Sequence, residues 1–130
     1  MFIDASALVA MLLEEDDAEG FMIRVEETGP CFTSAIALFE TVLAINRVHA
    51  GGIQRARAQV LKFARQAGID VVPINEDAGT LALDAHAWYG KGSGHPARLN
   101  LGDCFAYALA KQHGVPLLYK GDDFTGTDLA

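Results

Sequence analysis

Short apolar blocks alternate with helix-length amphipathic stretches along the whole chain. The first block, Met1-Phe2-Ile3, ends at Asp4. The next run, Ala5 to Leu13, is too long for one strand and reads as a helix, so Asp4 falls at a strand-to-helix turn. Glu14-Glu15-Asp16-Asp17 breaks that helix and supplies acids to the first turn of a second, where they complement the helix dipole. Phe21, Met22 and Val25 give this second helix its apolar face, and Gly29-Pro30 ends it. Cys31-Phe32-Thr33 reads as a strand and Ser34 as the N-cap of a third helix. From Ala35 to Ala50, Leu38, Phe39, Val42, Leu43, Ile45 and Val48 recur at helical spacing until Gly51-Gly52 stops the run. Glu40 therefore lies about two turns into a helix.

A moderately amphipathic helix is predicted from Ile53 to Ala67, with Val60, Leu61 and Ala64 on one side, the cations on another and Gly68 as its C-cap. Ile69 to Ile74 reads as the third strand. Asn75 opens a helix carrying Leu81, Leu83, Ala85 and Trp88 to about Gly90. Gly90-Lys91-Gly92-Ser93-Gly94-His95-Pro96 has the composition of a mobile loop. It leads through Asn100-Leu101-Gly102 to Asp103, in the first turn of a helix with Phe105, Tyr107, Ala108 and Leu109 that His113-Gly114 closes. Val115 to Tyr119 is the last strand, and Gly121-Asp122-Asp123-Phe124 comes directly after it. Strands separated by helices, without a hairpin signal, imply an α/β domain over residues 1–130. Its expected form is three α/β/α layers around a parallel sheet of four to five short strands.

Composition narrows the class. At 130 residues and 51% hydrophobic content the chain has the size of one compact domain. No apolar stretch reaches membrane-spanning length, and an acid at residue 4 stands where a signal peptide carries basic residues, so a cytoplasmic protein is expected. Cys31 and Cys104 are too isolated for a disulfide framework or a zinc site and read as buried thiols. The net charge of −7 argues against a polyanionic partner, but its distribution does not. Residues 1–40 hold nine acids and one Arg, whereas residues 41–69 hold Arg47, Arg55, Arg57, Lys62 and Arg65 and no acid. A local basic face of this kind serves equally to steer phosphate and to meet solvent or an acidic protein.

The candidate chemistry is carboxylate. Asp4, Glu40, Asp103 and the Asp122-Asp123 pair fall where the alternating chain turns back on itself, and acids past the C-terminal ends of parallel strands flank the ligand crevice of open sheets. Crowded carboxylates repel unless a cation neutralises them, and an all-oxygen set selects a hard ion such as Mg²⁺, with Mn²⁺ able to substitute. Phosphodiester hydrolysis suits that chemistry best. Singly, each acid has a plainer role as cap, dipole partner, surface charge or turn residue. Glu40 is harder to explain so, because Leu38-Phe39 and Val42-Leu43 flank it with what reads as a buried face.

Five segments, in order along the full length, carry a resemblance. They are Ile3-Asp4-Ala5-Ser6-Ala7; Thr33-Ser34 followed by Glu40; Gly92 to Asn100; Gly102-Asp103-Cys104-Phe105-Ala106-Tyr107-Ala108-Leu109-Ala110; and Lys120-Gly121-Asp122-Asp123-Phe124 with Thr127-Asp128. The chain resembles a PIN-domain ribonuclease of the VapC toxin family. The resemblance implies a PIN-like fold and a Mg²⁺- or Mn²⁺-dependent endoribonuclease toxin that cuts structured RNA such as tRNA or rRNA. It further implies a homodimer held inactive by a VapB-type antitoxin in a larger hetero-oligomer. By the same resemblance, Asp4, Glu40 and Asp103 are the first three catalytic acids, either Asp122 or Asp123 is the fourth, and Ser6 is a hydroxyl supporting Asp4. The implied roles are Asp4 and Asp103 as direct metal ligands, Glu40 as ligand or base, and the fourth acid acting through water. Apolar surface on the helices at residues 5–28 and 53–67, beyond what a small sheet consumes, agrees with a dimer.

Other readings stay in view. A catalytically silent PIN-like module that only holds a protein would tolerate loss of an acid. A phosphatase would want Asp-x-Asp after the first strand, where this chain has Asp4-Ala5-Ser6, and flap-type DNA nucleases carry insertions absent here. The four histidines form no metal-ligand pair, although His95 lies in a loop expected beside Asp103. Gly90, Gly92 and Gly94 come after a helix and make no dinucleotide fingerprint. Trp88 and Tyr89 read as core packing before base stacking.

Overall fold

The structure is a computed structural model that describes residues 1–130. In chain order its elements are β1 (Phe2–Ile3), α1 (Ala5–Leu12), α2 (Ala18–Glu27), β2 (Cys31–Thr33), α3 (Ala35–Val48), α4 (Gly52–Gln66), β3 (Ile69–Val71), α5 (Glu76–Tyr89), α6 (Leu101–His113) and β4 (Leu117–Leu118). The four strands form one parallel sheet in the order β3-β2-β1-β4. From β1 the chain steps outward to β2 and β3, then returns to add β4 on β1's other side. The order reverses between β1 and β4, which opens a crevice at their C-terminal ends.

Strand parity explains the layers. Phe2 pairs with Leu117 and Ile3 with Leu118, so alternate residues point to opposite faces. Ile3 and Leu118 join Leu8 of α1, Ile45 of α3 and Val60 of α4 in one core. Phe2 and Leu117 join Ala82 and Ala85 of α5, Leu109 of α6 and Phe124 in the other. Helices on both faces give the expected α/β/α architecture.

Several local expectations are corrected. The last two strands are shorter than predicted because only the residues beside a neighbouring strand complete the ladder, although Val72 still donates to Thr33 O at 2.9 Å. Of the acids at 14–17 none lies in the first turn of α2, which holds only Glu19; Glu15 and Asp17 instead hold the Lys120 ammonium, each at 3.2 Å. Helix α5 buries Ala78, Ala82 and Ala85, not the bulky stripe, and leaves Leu83 70% and Trp88 56% exposed. Phe39 is likewise 65% exposed. Surplus apolar surface therefore lies on α3 and α5 more than on the helices at residues 5–28 and 53–67, which contribute Ile23 and Ile53.

The Gly-rich loop is tied down rather than open. Lys91 donates to Leu99 O at 3.1 Å, Leu99 donates to Tyr89 O at 2.9 Å, and the Ser93 hydroxyl donates to Gly90 O at 2.7 Å. Cys31 and Cys104 are buried free thiols. No helix is long and apolar enough to cross a membrane.

Candidate carboxylate site at the end of the sheet

Asp4 leaves β1 at the crevice and caps α1, accepting the Ser6 N–H at 3.0 Å. Its backbone N–H donates to Leu118 O at 3.0 Å, which fixes its position between β1 and β4. The Ser6 hydroxyl donates to Asp4 Oδ2 at 2.5 Å and accepts the Lys120 N–H at 3.0 Å. One side chain thereby ties the end of β1 to the segment leaving β4. Asp4 is 6% exposed, and burial pushes its carboxyl above the usual carboxylate range against the pull of the Ser6 hydrogen bonds.

Glu40 reaches the same region from α3, whose start Ser34 fixes by accepting the Ala37 N–H at 3.1 Å. Its carboxylate lies against Gly102 in the first turn of α6, in space that a Cβ at residue 102 would fill. Glu40 is half-buried rather than enclosed, since Leu38 is buried but Phe39 is not. Partial burial and the Asp4 charge raise its pKa.

Asp103 is held by a capping box. Asn100 Oδ1 accepts the Asp103 N–H at 2.9 Å and Asp103 Oδ2 accepts the Asn100 N–H at 3.0 Å. Burial pushes the Asp103 carboxyl up to about 6; the Asn100 N–H opposes the shift, and the charges of Asp123, Asp4 and Glu40 add to it. Sequence reasoning gave Asn100 and Gly102 no role beyond leading into the helix, although an Asn three residues before Asp103 is a capping-box signal.

The charge of Asp123 adds to the upward shift of both Asp4 and Asp103. Asp103 thus feels the charges of Asp4, Glu40 and Asp123, and Glu40 feels that of Asp4. The tail carrying Asp123 is anchored at both ends. Phe124 is buried, and Asp128 accepts from the Tyr107 hydroxyl and from Lys111 Nζ, both at 2.6 Å. No three Asp, Glu, His or Cys side chains stand close enough to share one ion in this arrangement, as expected of like charges with no counter-charge among them. The donor set nonetheless fits a hard divalent cation: all its atoms are carboxylate oxygens, Asp4 is buried without a basic partner, and the Lys120 ammonium is engaged by Glu15 and Asp17.

His95 stands apart from this group. Its Nδ1 accepts the Ala97 N–H at 3.0 Å, and its ring packs edge-on to Tyr89 with centroids 4.9 Å apart.

Comparison with known proteins gives a consistent picture. The model of the PIN domain matches residues 1–129. A VapC ribonuclease of Rhizobium meliloti (strain 1021) is 42% identical, covering 98% of this chain and 98% of its own. Ribonuclease VapC30 of Mycobacterium tuberculosis is also 42% identical, covering 100% of this chain and 96% of its own. Among solved structures, Mycobacterium tuberculosis VapC20, described as a sarcin-ricin loop cleaving toxin, superposes with a TM-score of 0.76 at 17% identity, covering 99% of this chain and 95% of that one. A toxin-antitoxin complex from Klebsiella pneumoniae gives a TM-score of 0.69 at 19% identity, with 98% and 92% covered. At those identities the two structures speak for the fold.

Proposed function

The chain belongs to the PIN-domain family, among its VapC ribonucleases, and on that premise we propose that it is an endoribonuclease toxin whose Asp4, Glu40, Asp103 and Asp123 hold divalent metal for RNA hydrolysis. The observation that supports this most is the convergence on Asp103, beside the point where strand order reverses, of the charges of Asp123, Asp4 and Glu40.

Asp4 and Asp103 are the natural direct ligands, because both are fixed by hydrogen bonds that orient one carboxylate oxygen and leave the other free. A bound Mg²⁺, or Mn²⁺ in its place, would lower the pKa of a water and neutralise charge building on the phosphate. Glu40, half-buried and raised in pKa, is suited to take the proton of the attacking water. In-line attack forms the new P–O bond as the P–O3′ bond breaks. The 5′-phosphate carries the water's oxygen, and the O3′ oxygen leaves and takes a proton from solvent. Asp123 steadies the arrangement through water, at the end of a tail fixed by Phe124 and Asp128.

Structured RNA, such as tRNA or rRNA, is the proposed substrate, in line with the sarcin-ricin loop that VapC20 cleaves. The proposed regulator is a VapB-type antitoxin whose C-terminal arm offers Arg or Lys to the acids. The protein is proposed to work as a cytoplasmic homodimer and to form a larger complex with its antitoxin. Incubating the purified chain with total RNA and Mg²⁺, beside Asp4→Asn and Asp103→Asn, tests the reading. Cleavage by the unaltered chain alone supports it. Equal cutting by all three rejects the mechanism and points to a contaminating nuclease, and retained antitoxin binding without any cleavage favours the silent module.

A further inference from the structure

A groove of about 500 Å³ opens beside Glu40, between α3 and the first turn of α6. Ile36, Phe39 and Glu40 line it from α3, and Leu101 and Gly102 from α6. Phe39 is 65% and Leu101 67% exposed, so two large apolar side chains stand in water next to a carboxylate of the proposed reaction centre. The carboxylate of Glu40 is the only charge in the lining, and no Lys or Arg contributes. Phosphate is therefore disfavoured there, and a flat apolar group is favoured.

RNA supplies such a group one bond network away from every scissile phosphate. Single-stranded or splayed nucleotides are held by stacking their bases on aromatic side chains, a contact tolerant of base identity. We propose that Phe39 and Leu101 form a nucleobase subsite, in which a base flanking the scissile phosphate stacks on the Phe39 ring and packs against Leu101. This inference rests on the ribonuclease reading and names part of its substrate contact. Continuity carries it: Glu40 lines the groove, its carboxylate lies against Gly102 in the same lining, and its neighbour in charge is Asp4. A second apolar groove along α3 and α4, where Leu43 and Ile53 lie, shares Phe39 but not Glu40, and it is the natural alternative seat for a protein partner.

The test places an indole at the subsite. The chain has one Trp, so Phe39→Trp combined with Trp88→Phe leaves a single reporter there. Rapid mixing in Mg²⁺ with a short unstructured oligoribonucleotide should quench it before turnover, while an abasic ribose-phosphate oligomer of equal length should not. Steady-state cleavage should show KM raised about tenfold by Phe39→Ala with kcat little changed, the scale of one lost base stack. On abasic RNA the same substitution should change nothing. An identical response to both oligomers, no response to either, or an unchanged KM overturns the subsite. Normal RNA cleavage with no base-dependent quench sinks the subsite alone and assigns Phe39 to a protein partner or a second copy. Base-dependent quench in a chain that cuts no RNA sinks the ribonuclease reading and leaves the subsite standing.

Discussion

The Glu40 carboxylate occupies the space that a side chain at Gly102 would need, so the two residues form a fitted pair across the seam between α3 and α6. Gly102→Ala must therefore push the carboxylate away from the acid cluster. A flexible side-chain end moves cheaply, and Ala is favoured over Gly inside a helix by about 0.5–1 kcal/mol. The expected outcome is an unchanged or slightly raised melting temperature with kcat reduced roughly 10–100-fold, the range seen when a supporting partner of a metal ligand is lost. Melting curves and initial rates on one preparation check it, and a fall in stability with full activity would contradict the pairing.

Ser6 joins two strand ends through one hydroxyl, and its removal should be felt twice. Ser6→Ala takes a hydrogen bond from buried Asp4 and leaves the Lys120 N–H without its acceptor. A destabilisation of about 1–3 kcal/mol is expected, together with weaker activation by Mg²⁺. Denaturant unfolding and a metal titration of activity measure the two effects. Ser6→Thr, which keeps the hydroxyl, should restore most of both.

The adjacent acids after β4 should behave differently. The charge of Asp123 reaches Asp4 and Asp103, so Asp123→Asn should cut activity at least tenfold and more than Asp122→Asn does. Comparable losses from both would show that the tail turns differently when RNA is bound.

Burial of the acids, to which their mutual repulsion adds, also sets a pH dependence. Asp4, Glu40 and Asp103 all have folded pKa values above their ordinary ones, Asp103 at about 6 against 3.8. Across that window the folded chain binds more protons than the unfolded one, so stability falls as pH rises from 3.8 through about 6. In EDTA the melting temperature should be higher at pH 5 than at pH 7.5. Added Mg²⁺ should raise it at pH 7.5 and do little at pH 5, because protonated carboxylates do not ligate. A chain equally stable at both pH values in EDTA would mean that neither burial nor neighbouring charge holds these carboxyls above their ordinary range.

Element order and the sheet's parallel character were legible because Gly, Pro and capping residues punctuate the apolar blocks at each strand-helix junction. What escaped was which stripe of each helix faces inward. In α5 the predicted face of Leu81, Leu83, Ala85 and Trp88 is half right: Ala85 is buried with Ala78 and Ala82 and Leu81 packs beside them, while Leu83 and Trp88 turn to solvent. Small side chains let α5 and α6 approach closely, and a spacing of alanines carries little hydropathic signal. The same limit applies at Glu40: Leu38 is buried as expected, but Phe39, next along the helix, turns to solvent.

Proximity of the four acids also could not be read from spacing, since it depends on β4 returning to the far side of β1. The role of Gly102 depends on the contact between α3 and α6, which periodicity within either helix does not encode. Tying the Gly-rich loop likewise required Leu99 to bridge back to Tyr89 and Lys91, a pairing hidden by a composition typical of free loops.

Calorimetric titration of Mn²⁺ into the metal-free chain at pH 7.5, with RNA cleavage assayed on the same samples, asks whether the acids bind metal and whether that metal is needed for cutting. Saturable binding is expected, and Asp4→Asn and Asp103→Asn should each abolish it along with cleavage. Cleavage that persists in a variant no longer binding the ion would refute hydrolysis by metal held on these acids.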